Sequence, residues 1–249
     1  MKDVRYIVGC SGFHYKHWKG DFYPEGLPTK KWFEFYFQHF KTLELNVTFY
    51  RFPKLSTLQR WYDQSPADFI FSVKVPRSIT HFKKLNGTER MLSDFYKLAG
   101  EGLQEKLGSV LFQFPPNFSY TKEHTRRITD SIDQSFENVA EFRHSSWWNQ
   151  DAIAELGENQ IAFCGMSHPD FPDDIVGNTN HLYYRMHGRE QLYASDYSPN
   201  ELENIIDKIQ TITRLKRAYI YFNNDVNGYA TKNAQSLIDL INRRLKSLH

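Results

Sequence analysis

Six short apolar segments of this sequence end in polar side chains able to bind ions or move protons. They carry Glu44 and Asn46, Ser72 and Lys74, Gln113, Glu141 and Arg143, Arg185 and His187, and Asn223. In an extended chain, residues two apart share a face. Glu44 and Asn46 therefore point one way while Leu43 and Leu45 point the other, and the remaining pairs follow the same rule. A buried polar group costs free energy unless another group satisfies it. Two arrangements do so: an internal network pairing Glu44 with Lys74 and Glu141 with Arg143 or Arg185, or a ligand cleft lined by all of them.

Glu44 and Glu141 on opposite sides of a substrate suit an acid and a base. Neighbouring Lys74, Arg143 and Arg185 hold carboxylates ionised, which favours an orienting or basic role over that of a glycosidase acid. His81, His144 and His187 follow strand-like segments and fit either a proton shuttle or a loop-locking hydrogen bond. His81, Glu141, His144 and His187 lack HExxH or any tight ligand spacing, so no metal and no cofactor is expected. Lys74, Arg77, Arg143, Arg185 and Arg189 match phosphate oxygens, and backbone N–H groups at Gly9, Ser11 and Gly12 can approach the same anion. Phe13, Tyr15, Trp18, Phe22 and Tyr23, then Phe49, Tyr50 and Phe52, then Trp147 and Trp148, are able to stack bases or sugars. Rings in these positions also serve to pack long loops.

The elements needed to hold these groups are visible in the apolar pattern. Residues 4–10, 42–46, 69–75, 108–114, 138–142, 160–164, 181–186 and 218–222 read as eight strands. Helical faces follow most of them: Trp32, Phe35 and Tyr36; Leu55, Leu58 and Trp61; Leu202, Ile205, Ile206 and Ile209; and Ala234, Leu237, Ile238, Ile241 and Leu245. Ser198, Pro199 and Glu201 spell a capping box at the start of the penultimate helix. Eight strand–helix units in 249 residues fit an α/β fold, a single TIM-type (β/α)8 barrel over residues 1–249, with active groups at the C-terminal strand ends. A doubly wound sheet competes, but no GxGxxG follows a strand. Residues 13–27 read as a long structured loop, and residues 167–180 replace a sixth helix with an irregular connection.

Composition narrows the function classes. Phe, Tyr and Trp make up 16% of the chain, and 31 Lys plus Arg against 29 Asp plus Glu leave a net charge of +2. This is not the balance of a polybasic nucleic-acid binder, although a local cationic cleft fits within it. Cys10 and Cys164, the two cysteines, provide neither a disulfide framework nor a thiolate-rich zinc site. The first residues do not read as a signal peptide, and no apolar run approaches a membrane span. A soluble cytoplasmic protein is expected.

The segments GCSGFHYKHWKGDFYP (9–24), TLELNVTFYRFP (42–53), FSVKVPRSITH (71–81), LFQFPPNF (111–118), EFRHSSW (141–147), YYRMHG (183–188) and YIYFNND (219–225) closely resemble the DUF72, or YecE-like, family along essentially the whole chain. The resemblance implies a TIM-type barrel related in architecture to the endonuclease IV and xylose-isomerase-like barrels. Its recurrent polar positions fall here on Glu44, Asn46, Lys74, Arg77, His81, Gln113, Glu141, Arg143, His144, Arg185, His187, Asn223, Asn224 and Asp225. The extended metal constellation of endonuclease IV is not evident.

The expected catalytic set is Glu44, Glu141, His144 and His187. The expected substrate-binding set is Ser11, Tyr15, Trp18, Asn46, Lys74, Arg77, His81, Gln113, Arg143, Trp147, Arg185, Asn223 and Asn224. The first expectation is binding or processing of a phosphate-containing nucleotide or nucleic-acid fragment. The alternatives are a carbohydrate or sugar-phosphate hydrolase or isomerase, and a non-enzymatic binding or scaffold protein. The residues alone do not choose between enzyme and binder, and they name no protein partner.

Overall fold

A computed structural model describes residues 4–247. The one-domain reading and the reading of the first residues extend beyond that range at the termini. Eight parallel strands, β1 (Arg5–Ser11), β2 (Thr42–Leu45), β3 (Ile70–Lys74), β4 (Leu107–Phe114), β5 (Glu137–Phe142), β6 (Ile161–Ser167), β7 (His181–Met186) and β8 (Arg217–Phe222), form a closed barrel in sequence order. Helices α1 (Trp32–His39), α2 (Val47–Tyr50), α3 (Leu55–Gln64), α4 (Glu89–Leu103), α5 (Lys122–Ser131), α6 (Gln150–Glu158), α7 (Pro199–Thr211) and α8 (Tyr229–Lys246) lie between and after the strands, with both α2 and α3 following β2. No helix follows β6, where residues 168–180 run irregularly. No helix of the described residues is long and apolar enough to cross a membrane. The chain packs as two compact units, residues up to 43 with 165 onward, and residues 44–164.

In the first unit, β8 pairs with β1 from Arg5↔Arg217 to Cys10↔Phe222, and with β7 from His181↔Arg217 to Met186↔Phe222. The Tyr36 hydroxyl accepts from Cys10 N and donates to Thr42 O, both at 2.9 Å. This ties α1 to the end of β1 and the start of β2 through a fully buried group. Helix α7 begins with the expected capping box: Ser198 Oγ accepts from Glu201 N, while Glu201 Oε2 accepts from Ser198 N at 2.8 Å. The loop after β1 is held by its rings, with Tyr23 stacked on Trp32 at 4.6 Å. Phe33 rather than Phe35 shares the buried face of α1 with Trp32 and Tyr36. Phe35 meets Phe22 of that loop edge-on instead.

In the second unit, β4 pairs with β5 from Ser109↔Glu137 to Phe114↔Phe142. Helix α4 approaches α3 at Gly102, where an added Cβ would lie 2.5 Å from Leu58 Cβ. Lys106 caps the end of α3, its ammonium donating to Tyr62 O at 2.6 Å, Ser65 O at 2.8 Å and Ser65 Oγ at 3.0 Å. A cation is favourable there because the last carbonyls of a helix carry partial negative charge.

Two boundaries differ from the sequence reading in ways that matter. Strand β6 continues to Ser167, past the end expected at Cys164; a Cβ at Gly165 would lie 2.4 Å from Asp174 O. Glycine is therefore required by close backbone approach and does not break the strand. Strand β2 stops at Leu45, and Asn46 adopts helical backbone angles as the residue before α2.

Candidate functional site

In the 44–164 unit the candidate site is built around Glu141, whose side chain is fully buried. Gln113 and Glu141 are register partners on β4 and β5, so their side chains leave the sheet in the same direction. Glu141 Oε1 accepts from Gln113 Nε2 at 2.5 Å, from Arg143 Nε at 2.6 Å and from Arg143 Nη2 at 2.5 Å. Cys164 Sγ lies 4.0 Å from Oε2. A guanidinium held by two of its nitrogens has a fixed plane, so Glu141 sets the orientation of Arg143.

Lys74, at the end of β3, is also buried. Its carbonyl accepts from Thr48 Oγ1 at 2.6 Å, and its N–H donates to the same oxygen at 3.2 Å, which fastens α2 to β3. The Lys74 ammonium sits 4.0 Å above the Phe49 ring. The edge of Phe49 meets His81 at 4.9 Å between ring centroids. His81 lies in a single π-helical turn, Ser78–Phe82, an element often found at functional sites. Burial lowers the His81 pKa to about 4, with the positive charges of Lys74, Arg143 and Arg77 adding to the effect and Glu141 opposing it. The imidazole is therefore neutral at neutral pH. Its Nδ1 lies 3.0 Å from Thr80 Oγ1, a hydroxyl able to donate or accept, so either tautomer is accommodated.

Glu44 is fully buried on β2. Asn46 Oδ1 is buried without a hydrogen-bond partner, an acceptor suited to a ligand O–H or N–H. Arg77 is exposed.

The other unit carries a second polar group. Arg185 is almost fully buried. Its Nη1 lies 3.2 Å from His187 Nε2 and its Nη2 3.4 Å from Ser11 Oγ. Arginine only donates, so His187 Nε2 accepts from it. Asn223 Nδ2 lies 3.0 Å from Nδ1 of the same ring. His187 is fully buried beside Arg185 and Asn223. Asn224 Nδ2 donates to Ser195 O and Asn233 Oδ1, both at 2.8 Å, tying the loop before α7 to α8. Asp225 is paired with His17, and burial raises its pKa.

Several expected side chains are placed differently. Trp18 and Trp147 are fully enclosed and present no face for stacking. Trp147 lies flat on Phe142 at 3.8 Å, and its Nε1 donates to Phe118 O at 2.7 Å. Trp18 packs against Tyr15 and Phe22, and the Tyr15 hydroxyl donates to Ser11 O at 2.7 Å. These rings seal loops because an indole or phenol gains more by enclosure with a satisfied polar tip than by exposure. His144 caps a short 3-10 turn: Nδ1 accepts from Ser146 N at 3.2 Å and lies 2.8 Å from Ser146 Oγ. That is the loop-locking role. Arg189 is exposed and pairs with Asp173 and Glu201. The sequence reading overlooked Thr48 as the lock on Lys74, and the aromatic environment that Phe49 gives to Lys74 and His81. The only local signal was the short TFY run after β2. Among the described residues no three His, Cys, Asp or Glu side chains are grouped to hold a metal ion.

Comparison with known proteins agrees with this architecture. A crystal structure of a DUF72 family protein from Thermotoga maritima superposes with a TM-score of 0.85 at 29% identity, covering 96% of this chain and 99% of that one. The UPF0759 protein YunF of Bacillus subtilis (strain 168) is 25% identical over 88% of this chain and 89% of its own length. More distantly, 3-keto-D-glucoside 4-epimerase from E. coli matches with a TM-score of 0.54 at 10% identity, over 96% of this chain and 99% of that one, a likeness of fold alone. The family described as "Protein of unknown function DUF72" matches residues 7–248, and the chain belongs to it.

Proposed function

We propose that the 44–164 unit binds a small anionic sugar, in the first instance a sugar phosphate, and catalyses a proton transfer next to its carbonyl in the manner of an isomerase or epimerase. The observation that carries this reading is the neutral His81 set among Lys74, Arg77 and Arg143. Lys74, Arg77 and Arg143 bring three positive charges to a unit whose fully buried carboxylates at these strand ends are Glu44 and Glu141, and the imidazole beside them carries none. An anion lowers the electrostatic cost of the cations, and a neutral imidazole donates a hydrogen bond to a carbonyl without giving up its charge balance.

Each residue has a defined part. Arg143, oriented by Glu141, and Lys74 bind the anion. Asn46 Oδ1 accepts a sugar hydroxyl. His81 polarises the carbonyl oxygen through Nε2. Glu44 takes the proton from the adjacent carbon, the electron pair moves into an enediolate, and the Lys74 charge stabilises the oxygen that becomes negative. Sugar epimerases occur on this fold, but fold does not carry function, and the assignment rests on the side chains.

The test is proton exchange from a panel of aldose and ketose phosphates in deuterated buffer, read by NMR. Loss of the signal on the carbon beside the carbonyl is expected with the native protein and absent with Glu44→Gln or His81→Gln. A panel that neither binds nor exchanges overturns the proposal.

A further inference from the structure

Beside this cluster, in the same unit, two large aromatic rings stand in water. Tyr50, the last residue of α2, is 68% exposed, and Phe82, the last residue of the π-turn, is 71% exposed. Arg77 lies against both, its guanidinium carbon 5.7 Å from the Tyr50 ring centre and 5.5 Å from that of Phe82. Two exposed rings brought to one cation from separate segments make a contiguous patch, and such patches mark interaction sites.

The patch is rigidly presented. Thr48 fastens α2 to β3. Beyond Phe82 the chain turns back through Lys84 and Leu85, both in the left-handed region with φ of 49° and 65°. Leu85 is buried, and its N–H donates to Ile79 O at 3.0 Å. Non-glycine residues hold that conformation only where their surroundings over-determine it. Phe82 is thus delivered by a locked loop, which fixes its backbone before any ligand arrives.

Phe49 links the patch to the anion site: its ring carries the Lys74 ammonium at 4.0 Å and abuts Tyr50 at 5.1 Å. A ligand whose anion is held at Lys74 and Arg143 has a planar aromatic surface within one ring's reach. We propose that Tyr50, Arg77 and Phe82 form a stacking subsite for a nucleobase, so that the anion held at Lys74 and Arg143 is the phosphate of a nucleoside diphosphate sugar, whose terminal sugar supplies the carbonyl that the nucleotide's own ribose lacks. The subsite rests on the anion-binding reading above and adds to it the ring. Exposed rings suit this task because every base has a π face, and an arginine between them stacks on the base or reaches its edge.

The experiment is calorimetric titration of the full chain with ribose 5-phosphate and with adenosine 5′-monophosphate, which share the sugar and phosphate and differ in the base. The nucleotide is expected to bind about 5- to 150-fold more tightly, the range that stacking of one base supplies. Tyr50→Ala and Phe82→Leu, both at exposed positions, are expected to remove most of that advantage and to leave ribose 5-phosphate binding unchanged. Circular dichroism and the thermal midpoint confirm that the variants remain folded. Equal affinity for the two ligands in the native protein overturns the stacking subsite and leaves the sugar-phosphate reading standing. Absence of binding by either overturns both. An equal loss for both ligands in the variants assigns the rings a structural part and overturns the subsite.

Discussion

Arg143 grips a single oxygen of Glu141, with Nε at 2.6 Å and Nη2 at 2.5 Å, although only one residue separates them at the end of β5. The Glu141 side chain is fully buried, while that of Arg143 is 12% exposed. The pair therefore has an inner and an outer member, and the outer one is the cation. That ordering leaves the guanidinium on the outer side, where the proposed function gives it an anion to bind.

Removing the inner member should be costly in a way that depends on what replaces it. Glu141→Leu leaves Arg143 and Gln113 without their shared acceptor and should destabilise the protein by about 3–5 kcal/mol, as for other broken buried pairs. Glu141→Gln keeps an acceptor oxygen and should cost less, about 1–2 kcal/mol. Urea unfolding of the two variants checks the order; Glu141→Leu as stable as the native protein would mean that the pair does not hold this unit together.

His81 makes stability depend on pH. Its folded pKa of about 4 lies below the ordinary 6.5, so between those values the unfolded chain takes up the proton while the folded chain does not. Stability is retained above about 6.5 and is lost as pH falls toward 4. His81→Gln should flatten the urea midpoint across this window. Parallel profiles for the native and variant proteins would contradict the environment assigned to His81. Anion binding works in the opposite direction: a phosphate held at Lys74 and Arg143 offsets the charges that depress the His81 pKa, so binding measured between about pH 4 and 6.5 should be accompanied by proton uptake, read as a buffer-dependent heat, while at neutral pH the imidazole stays uncharged.

The strand ends were legible in the sequence because alternation in a strand is local. Leu43 and Leu45 against Glu44, or Ala140 and Phe142 against Glu141 and Arg143, reveal a polar side without knowledge of the neighbours. The partnership of Gln113 with Glu141 requires one further fact, the β4–β5 register, which chain order in a parallel barrel nearly supplies. Rings were not legible in the same way. Trp147 and Tyr50 both follow a strand in aromatic company, yet one is sealed under Phe118 and Phe142 and the other stands in water. Nothing within a few residues of either distinguishes them, because the difference lies in what the next loop covers. Phe82 escaped notice for the same reason: its exposure follows from a π-turn and two left-handed residues that no spacing announces.

The Tyr36 hydroxyl provides a test of how the first unit is fastened. It accepts from Cys10 N and donates to Thr42 O, both at 2.9 Å, in full burial. Tyr36→Phe keeps the ring and leaves a buried N–H and a buried C=O without this partner, at an expected cost of about 1–3 kcal/mol. The thermal midpoint should fall accordingly. An unchanged midpoint would show that these backbone groups find other partners.

Helix approach in the second unit gives the most direct packing test. At Gly102 of α4 an added Cβ would lie 2.5 Å from Leu58 Cβ and 3.1 Å from Leu58 Cδ1. The nearer atom is fixed to the α3 backbone and cannot swing aside, so alanine forces the two helices apart. A helical glycine-to-alanine change ordinarily stabilises by about 1 kcal/mol through propensity. Here the overpacking penalty, about 1–3 kcal/mol, opposes that gain, and the contact with a backbone-anchored atom places it at the upper end. Gly102→Ala is therefore expected to be net destabilising, whereas the double variant Gly102→Ala with Leu58→Ala should not recover stability, because shortening Leu58 leaves the clashing Cβ in place. Only Leu58→Gly removes that atom, at the further cost of a cavity and a glycine within α3. Denaturant midpoints of these variants separate a Cβ–Cβ clash from crowding by the rest of the leucine side chain: rescue by Leu58→Ala would overturn the close approach at Cβ.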